Sequence, residues 1–136
     1  MDGQAKANVD LELDSSPEAA AAARLALDGL SGSMSARRMR DLRLLVSELV
    51  TNAVRHAGLR HDEHIRLIVD IDGHVAHVEV HDPGRGFTPR PPTPDPARAS
   101  GWGLYLVEEL ADRWGVEGAG PGTLVWFELD GAGGQS

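Results

Sequence analysis

Apolar and polar residues along the chain fall into two periods. Val9, Leu11 and Leu13 alternate with Asp10, Glu12 and Asp14, the period of a half-buried strand. Ser15 stands three residues before Glu18 with Pro17 between them, the pattern of a capped helix that runs through the alanines to about Leu30. Residues 31–35 form a loop with helix-starting serines. A long helix follows over about 36–57, with Met39, Leu42, Leu45, Val46, Leu49 and Ala53 as its apolar stripe and Gly58 as its stop. Ile65, Leu67, Val69 and Ile71 return to the two-residue period, and Asp72-Gly73 marks a hairpin turn. On the return strand Ala76, Val78 and Val80 share one face. Asp82 continues that face, so its carboxylate points toward the buried layer.

Residues 90–100, RPPTPDPARAS, are proline-rich and aperiodic, a long loop of the kind that often serves as a lid. Helical spacing resumes over 101–114, with Leu104, Val107, Leu110, Ala111 and Trp114 on the buried face. Pro121-Gly122 is a turn. Thr123, Val125, Phe127 and Leu129 form a last strand, and residues 131–136 read as a flexible tail. Neither a repeat nor a second regime of composition appears. The expectation is one α+β domain over 1–136, a two-layer sandwich whose mixed, largely antiparallel sheet carries three helices on one face.

Composition narrows the function. The chain has 136 residues, 41% hydrophobic and 25% charged, within the range of a single globular domain. With no cysteine, thiol catalysis, disulfides and cysteine-held metals are excluded. Thirteen basic against 21 acidic side chains give a net charge of -8, which argues against binding the phosphate backbone of nucleic acids. A compact nucleotide site remains open, since backbone N–H groups and a metal recognise phosphates locally. No apolar run approaches membrane-spanning length, and MDGQAKANVD lacks a secretory signal, so a cytoplasmic location is expected.

Three clusters carry candidate chemistry. Glu48 and Asn52 lie four apart on the long helix and project from one face. An amide oxygen is a hard ligand suited to magnesium, and a neighbouring carboxylate can orient or deprotonate a nucleophile. Asp82-x-Gly84-x-Gly86 closes a strand. Its glycines allow close approach of backbone to a ligand, and an inward aspartate accepts from an amino group. Gly101-Trp102-Gly103-Leu104 opens a helix and exposes N–H donors to an anion. Singly, each has an ordinary structural explanation: a solvated helix face, a hairpin turn, a flexible helix entry. His61-x-x-His64, His74-x-x-His77 and His81 suggest a metal site, but residues three apart in a strand face opposite ways, so His74 and His77 do not readily converge and specific metal binding is not expected. His77 and His81 share the outward face with Glu79, expected to be a solvated sheet surface.

In this order and on these elements, the clusters resemble the asparagine box and the two glycine boxes of the histidine-kinase-like ATPase superfamily, which includes gyrase B, MutL and sensor histidine kinases. The resemblance spans residues 9–129 and implies the Bergerat-type sandwich, with residues 87–100 as the ATP lid. Within the superfamily, LLVSELVTNAVRHA and GWGLYLVEELADRWGV are similar to the small stand-alone anti-sigma factors with serine kinase activity. No phosphoacceptor-histidine helix pair or transducer domain accompanies them.

That resemblance implies ATP and Mg²⁺ as cofactors. Asp82 would accept from the adenine amino group, with Thr123 supporting that contact. Gly84 and Gly86 would shape the pocket, and Asn52 would hold Mg²⁺ against the phosphates. Gly101, Gly103 and Leu104 would offer backbone N–H groups to the phosphate chain, and Glu48 would be the general base toward an acceptor hydroxyl. The implied partners are a sigma factor and an anti-anti-sigma protein of the STAS type, phosphorylated on serine or threonine, with a homodimer favoured and neither nucleic acid nor membrane bound directly. The lid departs from the pattern: it is short and lacks lysine, with Arg90 and Arg98 as its cations. A second reading therefore stands beside the kinase, a regulatory module that binds ATP without turnover and controls a protein partner.

Overall fold

The computed structural model describes residues 6–30, 34–57, 64–82, 102–119 and 122–131. Strand β1 (Lys6–Asp14) leads into α1 (Ala19–Leu27), which ends in a 3₁₀ turn over Asp28–Leu30. Helix α2 (Ala36–Ala57) precedes the hairpin of β2 (His64–Asp72) and β3 (Val75–Asp82). Helix α3 (Trp102–Leu110), β4 (Arg113–Ala119) and β5 (Gly122–Asp130) complete the chain order. The sheet runs β1-β2-β3-β5-β4. All four pairings are antiparallel, so among the described strands the mixed component of the expected sheet does not occur. Only β2–β3 and β4–β5 are neighbours joined directly; β1 reaches β2 through α1 and α2, and β3 reaches β5 through α3 and β4.

Alternation makes the core. Ile65, Leu67, Val69 and Ile71 of β2, Ala76, Val78 and Val80 of β3, and Val125, Phe127 and Leu129 of β5 are all buried on one face. Against them α2 sets Met39, Leu42, Leu45, Val46, Leu49, Val50 and Ala53, the apolar stripe expected from its spacing. Ser35 caps this helix, its Oγ accepting the Arg38 N–H at 3.2 Å.

Several local expectations are corrected. The Ser15–Glu18 capping box does not form: α1 starts at Ala19, Glu18 makes no side-chain cap, and Ser15 Oγ is buried without a partner. Residues leaving β1 are spent on a turn instead, in which Ser16 N–H donates to Asp14 O and Ala19 N–H to Ser16 O. The hairpin turn sits one place later than Asp72-Gly73, because Asp72 pairs with Val75 and leaves Gly73-His74 as the loop. Gly73 takes φ 65, a conformation that favours glycine. Helix α3 stops at Leu110, and Trp114 belongs to β4, paired with Phe127. Gly131, assigned to the tail, is buried with its N–H donating to His74 O. Residues 132–136 lie outside the described residues, as does Gly58.

Strand β4 escaped the sequence because Gly115 and Gly118 remove one side chain from each of its faces and so break the alternation. Gly115 has a packing reason. A Cβ there would meet Trp126 Nε1 at 2.7 Å and Cε2 at 2.9 Å, so the indole lies against bare backbone. Gly115→Ala is expected to destabilise the domain by about 1–3 kcal/mol through overpacking, measurable as a lower denaturation midpoint.

Candidate functional site

Three elements are tied together at one end of the sandwich. Arg38, on the first turns of α2, donates from Nη1 to Asp41 and from Nη2 to Asp112, both at 3.0 Å, and from Nε to Asp130 O at 3.1 Å. Asp112 also accepts from the Asp130 N–H at 2.7 Å. This node fixes the start of α2, the exit from α3 and the end of β5 relative to one another. The Gly73-His74 loop joins the same end through Gly131.

Distances counted from the node show where the other ends lie. Thr123 stands about 23 Å back along β5 from Asp130 at ~3.3 Å per residue. Asn52 stands about 21 Å along α2 from Arg38 at ~1.5 Å per residue. The node end of β3 is the hairpin, so Asp82 also lies at the far end. Helix α3 packs on α2, and from its exit its first turn stands about 12–13 Å back toward that end. The lengths of the elements thus bring Asn52, Asp82, Thr123 and the opening of α3 toward one end of the domain.

Asp82 and Thr123 are directly opposed in the β3–β5 register. They are 6% and 4% exposed, and they are the buried polar side chains among the described residues. Burying a carboxylate on a strand's core-facing side is costly, which sets Asp82 apart from the apolar positions around it. Both residues stand where the alternation put them, on the face shared with Val80 and Val125.

Glu48 and Asn52 are half-buried. Helix α2 meets α1 along another flank, where Arg24 donates to Ser47 Oγ at 2.8 Å and Arg43 pairs with Asp28 at 3.0 Å. At 100° per residue, Glu48 and Asn52 fall with Asp41 on the flank turned from α1, the side from which Arg38 reaches Asp112 behind α3. A cavity of about 290 Å³ opens on the α1 side instead, lined by Ser16, Pro17, Ala20, Thr51, Val54 and Arg55. Arg55 is exposed at its rim.

Gly84, Gly86, Gly101, Arg90, Arg98 and the lid over 87–100 lie outside the described residues. Gly103 and Leu104 are within the backbone of α3. Sequence reasoning missed two polar constellations. One is the Arg38–Asp112–Asp130 node, whose members are far apart along the chain. The other is on the sheet's outer face, where His77, Glu79, His81 and Glu128 are half-buried and hydrogen-bonded rather than a plain solvated surface. Spacing of i, i+2 and i+4 put the first three on one face; only the strand register supplies Glu128.

Comparison with known proteins agrees with this fold. The family model described as a histidine kinase-like ATPase domain matches residues 13–129. A serine-protein kinase RsbW from Oceanobacillus iheyensis is 30% identical over 120 residues, covering 76% of this chain and 75% of that protein. A protein of the same name from Bacillus licheniformis is 31% identical over 126 residues, covering 80% and 77%. Among solved structures, the RsbU and RsbW domains of Rv1364c from Mycobacterium tuberculosis superpose with a TM-score of 0.67 at 21% identity. That match covers 90% of this chain and 32% of the larger chain, and it shows the fold. The antiparallel sheet with its helical layer, the family match from β1 through β5, and the two relatives at 30% and 31% identity converge: the chain belongs to the histidine kinase-like ATPase domain family.

Proposed function

We propose that this protein is an ATP-dependent serine/threonine protein kinase of the anti-sigma type. It phosphorylates an anti-anti-sigma partner of the STAS type and sequesters a sigma factor, with Mg²⁺ as the metal. The observation that carries the reading is the buried Asp82–Thr123 pair at the end of β3 and β5, on a chain whose family is that of ATPase domains and whose relatives are named serine-protein kinases. The donor set fits the ligand: a core-facing carboxylate and hydroxyl for a base edge, an amide oxygen and a carboxylate on α2 for the metal and the reacting hydroxyl.

In this reading Asp82 accepts from the exocyclic amino group of adenine and Thr123 supports that contact. Gly84 and Gly86 border the base, and Asn52 holds Mg²⁺. Gly101, Gly103 and Leu104 present backbone N–H groups to the phosphates. ATP, when bound, supplies the phosphoryl group. Glu48 takes the proton from the acceptor serine or threonine hydroxyl as its oxygen bonds to the γ-phosphorus; the bond from that phosphorus to the bridging oxygen breaks, and the released nucleoside diphosphate carries away the electron pair. The family resemblance further supports a cytoplasmic homodimer, and no described helix is long and apolar enough to cross a membrane.

Calorimetric titration with ATP, with and without Mg²⁺ and against GTP, tests the site. Adenine-selective, magnesium-dependent binding is the expected result; equal binding of GTP, or no binding, overturns it. Transfer from labelled ATP to a purified STAS-type protein then separates the kinase from a module that binds ATP without turnover.

A further inference from the structure

The outer face of the sheet, opposite the helices, carries a compact set of titratable groups that the nucleotide site does not use. His77 on β3 has both ring nitrogens engaged: Nδ1 lies 3.0 Å from Glu128 on β5, and Nε2 lies 3.0 Å from Glu79. The second oxygen of Glu79 accepts from His81 Nε2 at 2.9 Å. His77 also stacks on Trp126, with ring centroids 5.7 Å apart and planes at 23°. Trp126 in turn lies against Gly115 of β4.

This geometry constrains protonation. A neutral imidazole donates from one nitrogen only, and its second nitrogen would then present a lone pair to a carboxylate. Two carboxylate contacts at 3.0 Å are satisfied together only by the imidazolium, which donates from both nitrogens. We propose that His77, held as imidazolium between Glu79 and Glu128, is a proton-operated brace that fastens β3 to β5 on the outer face of the sheet. Protonation closes it; loss of the proton turns one of the two hydrogen bonds into a repulsive contact.

The surroundings favour the closed form. In the strand register His77 faces Asp70 of β2 and Glu128 of β5, while His81 faces Arg66. Arg66 is occupied by Asp10 of β1 through two hydrogen bonds, at 3.0 and 2.9 Å. On β4, Arg113 stands 3.5 Å from the Glu128 oxygen that His77 does not use. Glu117 is the remaining charge on that strand's outer side, and Asp130 stands two residues beyond Glu128. Burial works against the charge on His77, but the hydrogen bonds and fields of Glu79 and Glu128 outweigh it and raise its pKa above 6.5. Glu79 is held below its ordinary value by its bond from His81, against some burial, with His77 adding to the effect. The stacked indole favours the cation as well. Because the folded value lies above the unfolded one, the brace contributes in full below about pH 6.5 and is lost as pH rises through the folded value. It acts on the two strands whose reverse faces hold Asp82 and Thr123.

Two measurements on the intact protein test this. Ring ¹⁵N NMR, assigned by His77→Gln, should show both nitrogens of His77 protonated at about pH 6.5 and a midpoint above the ordinary histidine value. Thermal unfolding of wild type and His77→Gln should differ by about 2–6 °C near pH 6, and the gap should close by about pH 9. Glu128→Gln should lower the His77 midpoint while leaving the strand pairing intact. A single-nitrogen tautomer at pH 6.5, or a melting difference that does not change with pH, overturns the brace. Should His77→Gln fail to fold, the ring titration in wild type and Glu128→Gln decides alone.

Discussion

Glu48→Gln is expected to slow phosphoryl transfer to the acceptor protein by about 10²–10⁴-fold while leaving ATP affinity unchanged. The glutamine keeps the shape of the side chain on its half-buried flank of α2 and removes only the ability to take a proton. Neighbouring residues do not depend on it for packing: the core contacts of this stretch come from Leu45, Val46, Leu49 and Val50. Thermal stability should therefore stay close to wild type, which distinguishes lost chemistry from lost fold. Single-turnover transfer from labelled ATP, with binding measured separately by calorimetry, reads both quantities. Transfer at the wild-type rate would remove Glu48 from the role of base. Absence of transfer in the wild type itself, with ATP still bound, would favour the regulatory module without turnover.

Asp82→Asn is expected to weaken ATP binding by about 1–3 kcal/mol, or roughly 5–150-fold in Kd, the cost of mispairing a buried polar contact. The substitution replaces one acceptor oxygen by a donor NH₂ at a site 6% exposed, where water cannot make good the mismatch. Discrimination against GTP should fall with it, because the lost contact is the one assigned to the base. Thr123→Val at the opposed register position should act in the same direction with a smaller effect, since its hydroxyl supports the contact rather than making it. Calorimetry with both nucleotides checks the pair. Undiminished, adenine-selective binding by Asp82→Asn would move the base elsewhere.

The legibility of the site followed from periodicity. Counting in twos from Val80 and Val125 puts Asp82 and Thr123 on one face of their strands, and the sheet register sets them opposite each other. Counting in fours puts Glu48 and Asn52 on one face of a helix. Counting failed where the pattern was interrupted or where a competing local bond prevailed. Strand β4 was hidden by Gly115 and Gly118, and the Ser15–Glu18 box lost to a backbone turn that the exit from β1 required.

The sequence by itself determined the two layers, the apolar face of each element, the inward carboxylate and the order of the three clusters, because these depend on residues within one helix or strand. Tertiary structure alone decided which distant groups meet. Arg38 finds Asp112 and Asp130 only after α3 and β5 have docked, and His77 finds Glu128 only through the β3–β5 register. A period reports which way a side chain faces. Which partner it meets there depends on strand order and register, fixed by the burial of the whole apolar surface at once.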